Sequence, residues 1–180
     1  MVILLNLKLT YKFFSEDSIL ITWPNVISSE ILLDIRLYVE RIIECKFTFI
    51  KEFNFVYNSL LVIYNPDELI FERVIAELKT IYNEEKIELF KTKKWTIHVS
   101  YDSSFGIDLE NISAQKNKTI QEIIDIHYSI SYQVFCIGFM PGFAYMGKVD
   151  EKIQVPRHSK PRPLVYAGSV GIAGAQTGIY

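Results

Sequence analysis

The chain has 180 residues, 49% of them apolar and 22% charged, with a formal net charge of −2. That length holds one large domain or two small ones, and the near-neutral balance leaves no basic footprint for nucleic acid or an anionic membrane surface. Two distant cysteines, Cys45 and Cys136, lack metal or CxxC spacing and read as reduced, buried small hydrophobes of a cytoplasmic protein.

The N-terminal "MVILLNLKLTYKFF" is apolar but has neither the basic flank nor the small-residue cleavage site of a secretory signal. Its opening "MVILLNLKL" reads as an extra leading strand. "SILITW" (18–23) is rich in β-formers, and Ser28 or Ser29 then caps a helix carrying Ile31, Ile35, Val39, Ile42 and Ile43 at helical period. "CKFTFI" (45–50) and "SLLVIYN" (59–65) are expected as strands. "NPDE" is a helix start, with Asn65 as cap, Pro66 at the first helical position and Glu68 reaching back. That helix continues through Val74, Leu78 and Ile81, and "KIELF" (86–90) supplies a further strand. The order β-α-β-β-α-β is the split βαβ, or ferredoxin-like, arrangement. It contains no catalytic constellation.

"FKTKKW" (90–95) is a short, basic, solvated stretch, and the composition changes across it. All eight glycines lie at or after Gly106, and four of the six prolines at or after Pro141. Two domains, 1–92 and 93–180, are therefore expected. The second opens with "WTIHVSYD", where Trp95, Ile97, Val99 and Tyr101 alternate with polar residues, as in a strand buried on one face, with His98 on the solvated side. Two short helices follow. The second has Thr119 and Glu122 as a capping box and carries Ile120, Ile123, Ile124 and His127. The uncharged run Tyr128 to Gly147 is long enough for a bilayer, but Ser129, Ser131, Gln133, Gly138, Pro141 and Gly142 favour strand and turn.

Three strings carry what chemistry the chain offers. In "FCIGFMPGFAYMG" a strand ends at Gly138 and Met140-Pro141-Gly142 forms a turn, so that Phe143 and Tyr145 either pave a shallow pocket or cap a barrel end. In "VPRHSKPRPLV" two stiffly held arginines, Arg157 and Arg162, suit bidentate contact with carboxylate or phosphate, or surface ion pairs with local acids. "AGSVGIAGAQTG" spaces Gly168, Gly171, Gly174 and Gly178 by three or four residues, without a P-loop or GxGxxG pattern. Its glycines either uncover N–H groups for an oxyanion, beside Ser169, Gln176 and Thr177, or permit tight strand packing. No hydrolase triad, HExxH or metal-spaced cluster is present, and Cys136 with His127 is only a weak nucleophile–base pairing.

The strings "GFMPGFAYMG", "VPRHSKPRPLVYAGSVGIAGAQTGIY" and "EIIDIHYSISYQVF" resemble the family that includes the B-type subunit of 5-oxoprolinase, the kinase-A inhibitor KipI and allophanate hydrolase subunit 1, which share carboxyltransferase subdomain C/D. The resemblance implies an α+β chain, a ferredoxin-like domain followed by a cyclophilin-like β-barrel. It implies one subunit of an ATP-dependent 5-oxoprolinase, inactive alone, that works with a larger C-type subunit of related fold and with an A-type subunit, magnesium accompanying ATP. Other branches imply an inhibitor of a sensor histidine kinase, or allophanate hydrolase subunit 1. Carried over as pocket-lining are Pro141, Gly142, Phe143, Tyr145 and Tyr180. Carried over toward an anion are Arg157, Arg162, Gly168, Ser169, Gly171, Gln176 and Thr177, with the glycine stretch as a backbone donor surface. Family members usually have proline where Ala144 and Tyr166 stand. They also continue past "GIY" with further strands, so a barrel incomplete at its C-terminal end is expected, completed by a partner or shortened.

Overall fold

The computed structural model of the chain describes residues 7–82 and 92–180, in two units, Met1–Thr92 and Lys93–Tyr180. In the first unit, strands β1 (Thr10–Ser15) and β2 (Ser18–Thr22) precede helix α1 (Ser29–Cys45), strands β3 (Ile50–Val56) and β4 (Ser59–Tyr64) and helix α2 (Phe71–Tyr82). The sheet order is β1-β2-β4-β3 with every neighbour antiparallel. Strands β2 and β3 thus run parallel on either side of β4, and α1 is the crossover between them.

Alternation along the strands decides which face is covered. Leu60, Val62 and Tyr64 of β4 are buried, and the register sets Leu60 beside Ile21 and Val62 beside Ile19 of β2. Against this face α1 brings Ile31, Ile35, Tyr38, Val39 and Ile42, and α2 brings Val74, Leu78 and Ile81, both at helical spacing. Ser28 starts α1, its hydroxyl accepting from Ile31 N at 3.1 Å. One carboxylate enters this core and is satisfied there. Asp34 Oδ2 accepts from Trp23 Nε1 at 2.6 Å and from Tyr82 Oη at 2.8 Å, while Tyr38 Oη donates to the Leu78 carbonyl at 2.7 Å. Desolvation pushes the Tyr38 and Tyr82 hydroxyls well above their ordinary pKa, so both stay protonated as donors.

Several sequence expectations shift here. "CKFTFI" is not a strand: α1 runs through Cys45, and Lys46 closes it in the left-handed region at φ 49°, its N–H on the Ile43 carbonyl. The strand falls later, at β3, and Cys45 is exposed rather than buried. "NPDE" forms a turn, with Glu68 N on the Asn65 carbonyl at 3.2 Å and Asn65 Nδ2 donating to Glu68 Oε1 at 2.8 Å. Helix α2 begins only at Phe71, where an apolar stripe can be buried. Of "MVILLNLKL", residues 7–9 are not in a strand, and the leading strand starts at Thr10; the rest of that string and "KIELF" lie outside the described residues.

The second unit contains helices α3 (Leu109–Lys116) and α4 (Ile120–Ser129) and strands β5 (Gln133–Ile137), β6 (Ala144–Gly147), β7 (Val170–Ala173) and β8 (Gln176–Ile179). The strands form an antiparallel sheet in the order β5-β6-β8-β7. The Thr119–Glu122 capping box starts α4, and Ile123 turns inward to a small cluster with Val149 and Ile153. "WTIHVSYD" joins no sheet among the described residues, and its alternation buries no face: Trp95 and Ile97 are 70% and 58% exposed. A period of two fixes burial only when a ladder holds the strand against a neighbour. The uncharged run 128–147 resolves into the end of α4, β5, a turn and β6, and among the described residues no helix is long and apolar enough to cross a membrane.

Candidate functional site

The loop between β5 and β6 is built from two successive turns. Phe143 N donates to the Met140 carbonyl at 3.1 Å across Pro141 and Gly142, and Gly142 has φ +84°, as the third position of a type II turn requires. Just before it, Met140 N donates to the Gly138 carbonyl at 2.7 Å, closing a three-residue turn about Phe139 at φ +64°. Bulky residues rarely adopt that conformation, and a γ-turn of this hand is a strained one.

The loop delivers a cluster of rings. Phe143 meets Tyr145, Tyr180 and Phe139 edge to face, with centroids 4.9, 5.0 and 5.6 Å away. Its ring lies directly over Gly178, where an added Cβ would stand 2.5 Å from Phe143 Cζ. A side chain at 178 therefore fits only if the Phe143 ring moves. The structure brings Phe143, Tyr145 and Tyr180 together beside the Pro141-Gly142 turn, as a packed aromatic cluster. Phe139, 75% exposed, belongs to it as well. Sequence reasoning missed that residue, although a second phenylalanine flanking the turn was the available signal.

The glycine-rich string forms the β7–β8 hairpin. Ala173 pairs with Gln176 around the two-residue loop Gly174–Ala175, and Gly174 has φ +59°, on the first loop residue as in a II′ turn. Several of its backbone donors are engaged. Gly168 N donates to the Tyr180 carbonyl at 2.6 Å, Ser169 N to the Tyr166 carbonyl at 3.1 Å and Gly174 N to the Val155 carbonyl at 2.7 Å, while Gly171 and Gly178 are paired inside the ladder. Thr177 is buried, and its hydroxyl donates to the Gly171 carbonyl at 2.9 Å. Within Gly168 to Thr177, the N–H groups of Gly168, Ser169 and Gly174 are thus in backbone hydrogen bonds, while β7 is an edge strand of its sheet.

The two arginines differ sharply. Arg162 grips Asp108, with Nη1 on Oδ2 at 2.8 Å and Nη2 on Oδ1 at 2.6 Å, and His158 Nε2 stands 3.5 Å from the same Oδ1. The hydrogen bond from Arg162 is the largest reason why the Asp108 carboxyl is held below its ordinary pKa. Arg157 is exposed and has no ion pair among the described residues. Sequence reasoning did not find Asp108. No acidic residue follows Glu151, so an acidic partner of Arg162 had to precede it in the chain, but the sequence does not say which.

On α4, His127 is buried with Nδ1 2.6 Å from Tyr101 Oη, and its Nε2 has no hydrogen-bond partner among the described residues. Burial pushes the imidazole below its ordinary pKa, so it is neutral near pH 7. Among the described residues no group of three His, Cys, Asp or Glu could hold a metal ion.

A family model for the carboxyltransferase domain, subdomain C and D, matches residues 9–180. The chain belongs to that family. Within the carboxyltransferase subdomain C and D family, the B-type subunit of 5-oxoprolinase from Bacillus subtilis (strain 168) is 48% identical over 84 residues, 47% of this chain and 35% of that protein. The corresponding B-type 5-oxoprolinase subunit of Escherichia coli O157:H7 is 35% identical over 123 residues, 68% of this chain and 56% of that protein. This chain thus spans between a third and just over half of the length of these curated relatives. Urea carboxylase of Kluyveromyces lactis superposes with a TM-score of 0.76 at 16% identity, covering 97% of this chain and 18% of that one. That is a likeness of fold.

Proposed function

We propose that this chain is the B-type subunit of an ATP-dependent 5-oxoprolinase, working in the cytoplasm with a larger C-type subunit of related fold and an A-type subunit. The observation that carries the reading is the 48% identity to a B-type 5-oxoprolinase subunit. The reaction opens a lactam to glutamate. Phosphorylation of the amide oxygen makes the ring carbonyl open to water, and the C–N bond then breaks with phosphate as the other product. In this reading ATP and its magnesium are held mainly by the partner subunits. This chain contributes Arg157 and Arg162 toward an anionic group and the Phe143–Tyr145–Tyr180 cluster, beside Pro141 and Gly142, as an apolar wall. The first unit is read as ferredoxin-like, on the β-α-β-β-α order and the β2-β4-β3 arrangement. The second is read as part of a cyclophilin-like barrel.

The test is copurification from native extract, followed by an assay for ATP-dependent conversion of 5-oxoproline to glutamate. A C-type chain that copurifies with glutamate-forming activity supports the reading. A histidine kinase brought down in its place, with no lactam opened, overturns it.

A further inference from the structure

Asp108 precedes α3 and carries a side chain suited to capping it, yet its backbone sits at φ −108°, ψ −5° and its carboxylate makes no cap hydrogen bond. Both oxygens are turned to Arg162, at 2.8 and 2.6 Å, and His158 Nε2 stands 3.5 Å from Oδ1. Arg162 and His158 come from one proline-stiffened segment that contains no acid of its own. A forked guanidinium with a second nitrogen alongside is the geometry of a receptor for a carboxylate or phosphate group. The Arg162 and Asp108 side chains are 39% and 34% exposed, so an external anion can reach the guanidinium, and a pair this open holds its members weakly.

We propose that Arg162 and His158 form an oxyanion site, that Asp108 occupies it in the free chain, and that an incoming carboxylate or phosphate group takes its place. The released Asp108 has a second position open to it. A local turn of ψ toward the extended range lets its carboxylate cap α3, accepting from the first-turn N–H of Glu110 or Asn111. Asp108 is thus a latch on Arg162 in one state and a helix cap in the other. The inference rests on the reading of Arg162 as an anion contact and is independent of which assembly the chain joins.

The test is a titration of the 180-residue chain at low ionic strength with inorganic phosphate and, separately, with 5-oxoproline, a carboxylate without phosphorus. Side-chain Nε signals of the arginines and backbone amides of Glu110 and Asn111 are followed by NMR. Saturating shifts are expected at Arg162 and, in the same titration, at the α3 amides; the anion that saturates at lower concentration identifies the natural class. Asp108→Ser empties the receptor and keeps a hydroxyl cap. It is expected to bind the anion about threefold to fivefold more tightly, with α3 amides that no longer respond. Arg162→Ala is expected to abolish saturation. Should the serine variant not fold, Asp108→Asn serves for the same comparison. Equal affinity in wild type and variant, or no saturation at Arg162, overturns the proposal. A flat titration leaves the copurification result standing, and an inactive complex leaves the titration standing.

Discussion

The two units are held together in different ways. Among the described residues of Met1–Thr92 sixteen buried aliphatic and aromatic side chains form one cluster, and Asp34, Tyr38 and Tyr82 are hydrogen-bonded there. In Lys93–Tyr180 the cluster around Ile123 has three buried members, and large apolar side chains such as Trp95, Phe105, Phe139 and Tyr166 remain exposed. The candidate site residues all lie in the second unit. The larger core and the candidate site thus fall in different parts of one chain, with the strained Phe139 turn and the Arg162–Asp108 pair in the unit with the smaller core. The first unit has the larger core to lose, so substitutions there should cost most.

The largest expected effect is therefore in the first unit. Leu78→Ala opens a cavity between α2 and the sheet, where Leu78 is fully buried, and should cost about 3 kcal/mol. Urea unfolding followed by tryptophan fluorescence reads this directly, because buried Trp23 reports on that unit while Trp95 is already exposed. Next comes Gly178→Ala in the second unit. The new methyl meets Phe143 and should cost about 1–3 kcal/mol by forcing the ring out of the aromatic cluster, with a loss of near-ultraviolet circular dichroism.

Acid sharpens the contrast further. The folded-state pKa of His127 lies below its ordinary 6.5, so the unfolded chain binds its proton first. The second unit should lose stability as pH falls through about 6.5 and keep a plateau above it. His127→Phe should flatten that slope in thermal melts between about pH 7.5 and 5.5, a range in which Asp108, with its lowered pKa, stays ionised. The smallest effect on stability is expected for Arg157→Ala, within about 0.5 kcal/mol, since the side chain is exposed and has no ion pair among the described residues. If Arg157→Ala costs as much as Gly178→Ala, the division between scaffold and site is wrong for that residue.

Much of this arrangement was legible where the signal is local. Ser28 before an apolar period of about 3.6, the Thr119–Glu122 box and the Met140-Pro141-Gly142 turn each carry their instructions within a few residues. What was not legible depends on distant partners or on an unusual local choice. The end of α1 was hidden because Lys46, not glycine, takes the left-handed position. Strand β1 was not singled out because its "TYKFFS" is half polar, with Phe13 and Phe14 exposed. In the site, the glycine spacing suggested donors, but whether an N–H is free depends on pairing with Tyr166, Val155 and Tyr180, which composition does not show. Asp108 lies 54 residues from Arg162, beyond the reach of any motif.

The most direct test of the proposed function is to combine this chain with C-type and A-type subunits of a 5-oxoprolinase and to measure ATP-dependent formation of glutamate from 5-oxoproline, comparing wild type with Arg157→Ala and Arg162→Ala. Glutamate is expected from the wild-type assembly and at least about tenfold less from each arginine variant, with the fold of each intact by circular dichroism. A wild-type assembly that forms no glutamate, or arginine variants that match it, would contradict the account.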